Sequence, residues 1–293
     1  MKNIYIYLLL FLRKVYLRFF YQSHRVNNVL SDIDSSNSLI YNELNTGGGK
    51  MIARFGSIEL DNISNYIGRT RYGKNPIRFI MNRQPAWWFQ KDRALALCSN
   101  AGFFPQNRED LLERYCKLNI KDAKYVDVLG SWQDNEKYLD LELRYCKKVV
   151  LSSLEPFFAK IPWTRVLEGK KVLVVHPFAD TIMQQYNKRE YLFSNPLVLP
   201  VFGSLSIIKA VQSIGGKSDQ FDTWFDALEY MKTEIDKIDF DICLLGCGAY
   251  GFPLAAHIKR RGKKAVHLGG ALQLLFGIEG NRWFDPKSEL YPI

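Results

Sequence analysis

The sequence predicts an α/β protein, a mostly parallel Rossmann-like sheet covered by helices, with a basic amphipathic helix at its N-terminus. Three observations predict it. "KKVLVVHPFAD" (170–180) is a continuous β-branched run, the kind of strand buried on both faces of a parallel sheet. Strand-like and helix-like segments alternate along most of the chain, as they do in covered parallel sheets. Apolar runs repeatedly end in glycine, proline or a polar residue, and in such sheets ligands gather at the carboxyl ends of the strands.

At the N-terminus, "MKNIYIYLLLFLRKVYLRFFYQSHR" carries an apolar run from Ile4 to Leu12, then aromatics interleaved with Arg13, Lys14, Arg18 and Arg25. Nine apolar residues are too few to span a bilayer (about 20 are needed). The positive flank is on the wrong side for a signal peptide, and no small-residue cleavage site follows. Residues 1–30 are therefore expected to form a helix lying on an anionic membrane surface, or else one packed on the core. Residues 31–293 are expected to form one domain.

Within that domain, residues 37–46 look helical and "KMIARFG" (50–56) reads as a buried strand. Ile58, Ile63, Tyr66 and Ile67 then make a helix face, which puts Ser57 and Glu59 where a strand ends and a helix begins. "RTRYGKNPIRFIMNRQPAWWF" (69–89) is basic, aromatic and aperiodic, and reads as an excursion. Its cluster Arg69, Arg71, Lys74, Arg78 and Arg83 with Trp87 and Trp88 faces either a lipid-linked or phosphorylated acceptor, or solvent. Helices follow at 109–118 and 137–146, with strands at 125–132 and 147–158. After the strand at 170–180, helices are expected at 180–192, 204–213 and 223–236, and a strand at 196–202. The chain closes with a strand (239–246), helix (251–261), strand (264–268) and short helix (271–277).

Composition narrows the function. The 47% hydrophobic and 24% charged content is that of a globular protein and excludes wholesale disorder. A net charge of +10 calls for an anionic partner, unless it serves solubility alone. No helix-turn-helix, zinc or RNA-binding signature accompanies the charge, so nucleic acid is not an expected partner. The five cysteines (Cys98, Cys116, Cys146, Cys243, Cys247) are scattered, which argues against a disulfide framework or structural zinc and for a reducing cytoplasm.

The motif with most chemical content is Gly246-Cys-Gly248-Ala-Tyr-Gly251 between an apolar strand and a helix. A G-x-G-x-x-G there lets backbone N–H groups approach phosphate oxygens at a helix N-terminus. An NAD site wants an acidic residue about 20 positions on. This chain has Val266-His267-Leu268-Gly269-Gly270 instead, and too little chain follows for a second dinucleotide-binding half. The expected guest is another phosphate-bearing ligand and not NAD, with tight strand-to-helix packing as the alternative. Tyr250 is available to stack on a base or sugar, and His267, Gly269 and Gly270 end the neighbouring strand.

Other strand ends supply candidate groups. Glu59 is a candidate metal ligand or base for an acceptor hydroxyl, or a carboxylate favoured by the helix dipole. Arg54 is placed to pair with Glu59 or with phosphate, beside Gly56 and Ser57. His176 and Asp180 frame the end of the strongest strand, the first toward a nucleotide and the second catalytic or a helix cap. His257 reads as a surface residue.

Five blocks, "MIARFGSIELDNI", "NAGFFP", "VDVLGSW", "VVHPFADTIMQQY" and "LLGCGAYGFPLAAHIKRRGKKAVHLGGALQLLFG" followed by Arg282-Trp283, together resemble the GT-D-type glycosyltransferases. That family, formerly one of unknown function, is often encoded with bacterial surface-polysaccharide genes. The resemblance runs from about residue 38 to residue 284. It implies transfer of a sugar from a nucleotide-sugar donor, UDP-linked by expectation, to a glycan, lipid-linked or glycoconjugate acceptor, at the inner face of the plasma membrane. Another polysaccharide-assembly transferase (pyruvyl or phosphoryl) and a non-catalytic sugar-nucleotide-binding protein are the alternatives.

Relatives end the corresponding strand in Arg-Phe-Gly-Asp-Gly-Glu, and the Asp-x-Glu is the metal and catalytic motif. Here those positions are Arg54, Phe55, Gly56, Ser57, Ile58 and Glu59. The glutamate is kept and the aspartate is replaced by Ser57. A Mn²⁺ or Mg²⁺ ion near a diphosphate wants one or two carboxylates, so the resemblance leaves either a metal on Glu59 or cationic side chains on the leaving diphosphate. By the same resemblance Asn100 to Pro105 and Trp132 shape the acceptor side, and Glu155, at another strand end, is grouped with them.

Overall fold

The computed structural model describes residues 2–20 and 28–280. Arg25, the Arg282-Trp283 pair and the domain limit at residue 293 lie outside the described residues. The strands are β1 (Val29–Leu30), β2 (Lys50–Ala53), β3 (Val128–Ser131), β4 (Lys147–Val150), β5 (Lys171–His176), β6 (Ser204–Lys209), β7 (Ile242–Leu245) and β8 (Lys264–His267). They form one sheet in the order β1-β4-β3-β2-β8-β7-β5-β6, and every pairing is parallel.

The α-helices are α1 (Lys2–Phe20), α2 (Ile33–Asn45), α3 (Ser57–Arg71), α4 (Pro76–Ile80), α5 (Lys91–Ala101), α6 (Glu109–Ala123), α7 (Ala179–Tyr186), α8 (Trp224–Asp236), α9 (Gly251–Arg260) and α10 (Leu272–Leu275). Their ends follow local chemistry. Glu59 lies in the first turn of α3 and Arg69 and Arg71 in its last, matching the helix dipole. Thr223 and Asp226 close a reciprocal capping box on α8.

Strand alternation builds two cores. Leu173 and Val175 of β5 face one cluster, with Met51, Ala53, Cys243 and Leu245. Val172 and Val174 face the other, with Ile52, Ile242, Leu244 and Val266. Each aliphatic side chain buried in this way contributes about 1.5–3 kcal/mol. α3, α6, α8 and α9 pack on the first face and α2, α7 and α10 on the second.

The two halves of the sheet meet where β2 pairs with β8, Met51 opposite Ala265 and Ile52 opposite Val266. After β2 the chain turns to the first face through Leu60 and Ile63. After β8 it turns to the second through Leu272 and Leu275. Adjacent strands whose connections leave on opposite faces open a crevice at their carboxyl ends.

Several sequence expectations differ from the structure. The strand expected at 147–158 ends at Val150, with 3₁₀ turns at Leu151–Leu154 and Pro156–Phe158, and the helix expected at 180–192 ends at Tyr186. Residues 204–209 are the edge strand β6 and not a helix. "SLSIIK" alternates polar and apolar residues and contains adjacent isoleucines, and only one side of the strand has a partner. Residues 196–202 are not a strand: Pro196 and Pro200 remove ladder donors, and Val198, Leu199 and Phe202 pack instead as a buried irregular cover. Residues 137–146 hold no α-helix, only the end of a 3₁₀ turn at Asp134–Leu139. The excursion at 69–88 contains the short helix α4, started by the Asn75 cap and Pro76.

Candidate functional site

A cleft of about 820 Å³ lies at the carboxyl ends of β2, β3, β5, β7 and β8. Most of the predicted site residues line it: Arg54, Gly56, Ser57, Glu59, Asn100, Trp132, Glu155, His176, Gly246, Gly248, His267, Gly269 and Gly270. They arrive from strands far apart in sequence, and the strand order brings them together.

Behind the cleft wall, Arg54 and Trp132 are organised around one buried carbonyl. Phe55 O accepts hydrogen bonds from Arg54 (Nε 3.3 Å, Nη2 3.1 Å), from Trp132 Nε1 (3.0 Å) and from Gln133 Nε2 (3.1 Å). The Arg54 guanidinium also lies over the Trp132 ring, 5.1 Å from its centroid. Trp132 is in turn held by Glu136. That buried carboxylate accepts from the Ser131 hydroxyl and from the N–H groups of Trp132 (3.0 Å) and Gln133 (3.1 Å). Burial is the largest influence on Glu136 and raises its pKa, against those three donors.

Two imidazoles form part of the wall. His176, at the end of β5, accepts from Phe178 N–H at Nδ1 (3.0 Å), so its ring proton belongs on Nε2. Burial lowers its pKa to about 4. His267, at the end of β8, is lowered to about 3, by burial first and by the Arg54 charge second. Both rings are neutral at pH 7, which leaves Arg54 to supply positive charge at this end of the cleft.

The glycine motif divides in two. Gly246 and Gly248 line the cleft. Gly248 has φ +57°, and a Cβ there would approach Ala101 O to 2.7 Å. A Cβ on Gly246 would sit 2.7 Å from His176 Cδ2 and 2.8 Å from Gly269 O. Tyr250 and Gly251, expected to bind the donor, are not in the lining of this cleft; Tyr250 lines a smaller pocket beside it with Asn100, Gln212 and Gly248. Tyr250 stacks on Trp224 (5.1 Å, 7°), its hydroxyl is 2.8 Å from Ser213 Oγ, and burial raises its pKa. Gly251 packs its Cα against the His267 imidazole. This half of the motif is strand-to-helix packing.

Asp180 lies on the first turn of α7, its side chain 88% exposed and 3.9 Å from Lys209 Nζ, outside the cleft lining. Glu59 is better placed: its carboxyl folds back over Gly56, occupying the space a Cβ would take there. His257 pairs with Asp236 (2.9 Å), away from the site. The basic cluster at 69–83 does not line the cleft either. Arg69 is bound to Glu109 and Glu113, Arg71 to Glu142, and Trp87 and Trp88 pack around Phe79.

Sequence reading missed Ser99, Gln212, Ile214 and Gln273 in the lining. Gln212 and Ile214 follow β6, the first inside the segment read as a helix (204–213) and the second just after it. The Gly215-Gly216 pair after an apolar run was the available signal for a turn there.

Fold and cleft together define a doubly wound parallel α/β protein with a cleft at the switch point. No family model and no curated protein matches the sequence. Among solved structures, the chain is similar to a selenomethionine-substituted domain of unknown function 1792 (12% identity, 83% of this chain and 78% of that one, TM-score 0.43). It is also similar to a domain of the same kind described as having a distinct glycosyltransferase fold (13%, 83% and 79%, 0.42). A third is a glycosyltransferase with this domain from Streptococcus sanguinis (11%, 86% and 87%, 0.43). These neighbours are of the glycosyltransferase-fold kind that the sequence blocks resemble. At such identities and scores the likeness carries no argument about chemistry.

Proposed function

We propose that the chain is a glycosyltransferase that takes a nucleotide sugar, UDP-linked by first choice, and passes its sugar to a hydroxyl of a glycan or glycoconjugate. The observation that supports this most is the grouping of Arg54, Glu59 and the Gly246–Gly248 turn in one cleft. Arg54 is a fixed cation for the diphosphate, with the backbone N–H of Gly248 as a further donor, that of Gly246 being already given to Val175 O (3.0 Å). As the acceptor oxygen bonds to the anomeric carbon, the carbon–oxygen bond to the diphosphate breaks. The acceptor proton passes to Glu59, and the charge gathering on the diphosphate is met by Arg54. Trp132, Asn100 and Glu155 lie on the acceptor side of this arrangement.

No three of His, Cys, Asp and Glu group as metal ligands among the described residues. With serine at position 57, Mg²⁺ or Mn²⁺ would find only Glu59 from the strand-end motif, and would need diphosphate oxygens and water for the rest. When bound it would neutralise diphosphate charge, the part assigned here to Arg54.

Calorimetry with UDP-, GDP- and dTDP-sugars, with Mn²⁺ and with chelator, tests the proposal. Binding of at least one donor is expected in both conditions. Donor turnover is expected to fall by about 10²–10⁴-fold in Glu59→Gln while donor affinity stays within a few-fold. No binding and no hydrolysis of any donor would sink the proposal. The serine at position 57 also favours a second reading, a sugar-nucleotide-binding protein without turnover. Appearance of turnover only in Ser57→Asp would establish that one.

A further inference from the structure

Helix α1 has two apolar faces, and only one is used by the fold. Leu9 is 3% exposed and packs with Phe79 and Ala86. One turn on, Arg13 lies over the Phe79 ring and donates to Phe79 O (2.9 Å), Gln84 O and the Asn82 side chain. These contacts seat α1 on α4 and the turn after it. The opposite face consists of Ile4, Tyr7, Leu8, Phe11, Val15 and Phe19, spaced as one helical stripe and 37% to 74% exposed.

A solvated apolar stripe on a helix already anchored by its other side calls for a cover. Charge identifies the cover. No Asp or Glu precedes Asp32. Lys14 and Arg18 flank the stripe on one side. α4 and the turn before it expose Lys74 and Arg78 around Ile77, which is 69% exposed. None of these four cations forms an ion pair among the described residues, unlike Arg69 and Arg71 close by. An apolar, aromatic-rich stripe bordered by Lys14 and Arg18, neither of them in an ion pair among the described residues, matches the layered chemistry of an anionic bilayer surface. No helix among the described residues is long and apolar enough to cross a membrane.

We propose that the outer face of α1, with Lys14 and Arg18 at its border, is a docking surface for anionic lipid, on which the domain lies with α1 in the headgroup plane. The proposal is independent of the chemistry in the cleft. The full chain is sedimented with vesicles of phosphatidylcholine alone and of phosphatidylcholine with phosphatidylglycerol. Binding is expected only to the anionic vesicles, and is expected to fall as NaCl is raised. Leu8→Asp with Phe11→Asp should abolish it without changing the circular dichroism spectrum, because both side chains face away from the packed side. Lys14→Ala and Arg18→Ala should each weaken it by about fivefold. Undiminished binding by the Leu8→Asp, Phe11→Asp variant, or equal binding to neutral vesicles, overturns the proposal. So does a dimer seen by sedimentation velocity that the same two substitutions dissolve while the wild-type chain ignores vesicles.

Discussion

The Arg54 guanidinium lies over the face of Trp132, 5.1 Å from the ring centroid, and both side chains donate to Phe55 O. Arg54 follows β2 and Trp132 follows β3, so the contact ties two adjacent strand ends into one rigid cation-bearing edge. Held in this way, Arg54 loses little freedom when an anion arrives.

Arg54→Ala is expected to weaken nucleotide-sugar binding by about 10- to 100-fold, the worth of a charge-assisted hydrogen bond. Trp132→Ala should cost less, about threefold, by removing an exposed cation–π contact. Asp180→Ala should change nothing, because that side chain lies outside the cleft. Calorimetry with a UDP-sugar reads all three. Wild-type affinity in Arg54→Ala would remove the cation from the proposed site.

Gly246→Ala should destabilise the fold by about 1–3 kcal/mol in urea unfolding, because the new methyl meets His176, Gly269 O and Leu272 at once. Gly47→Ala is the control, with nothing within 4 Å of the added Cβ. Equal unfolding midpoints for the two variants would show that the strand ends can spread to admit a side chain.

The buried imidazoles predict a loss of stability in mild acid. Their folded pKa values, about 4 for His176 and about 3 for His267, lie below the ordinary value of 6.5. Above pH 6.5 both states are neutral. As pH falls below that, the unfolded chain gains protons that the folded one refuses, at about 1.4 kcal/mol per pH unit per ring. Burial raises the pKa values of Glu136, Asp61 and Asp122, which tilts stability the other way. The comparison is therefore between wild type and His267→Asn over pH 7 to 5. The variant should show the shallower acid loss by urea midpoint, and parallel curves would mean that His267 is protonated in the fold.

Much of the sheet was legible in sequence. β2, β5, β7 and β8 are short apolar runs closed by punctuating residues, and α3, α8 and α9 carry clear apolar faces. Segment 204–213 was not legible, because Leu205 and Ile208 suit a helical face while Leu205 and Ile207 suit an alternating strand. β5 supplies the ladder that decides between them, and no local window contains it. The buried cover at 196–202 misleads for the opposite reason. Its apolar content comes from packing under the sheet edge, while its prolines preclude pairing.

Sequence by itself determined the strand-to-helix alternation, the glycines at strand ends, Ser57 and Glu59 where a strand gives way to a helix, and a first stretch of chain without acids before Asp32. These are properties of local residue order and covalent chemistry. Tertiary structure decided which of those residues share a cleft. Strand order set Arg54 beside His267 and Gly269, and packing of Tyr250 against Trp224 took half of the glycine motif out of solvent. The physical reason is that burial and proximity belong to neighbours distant in sequence, and those neighbours exist only once the parallel sheet has closed.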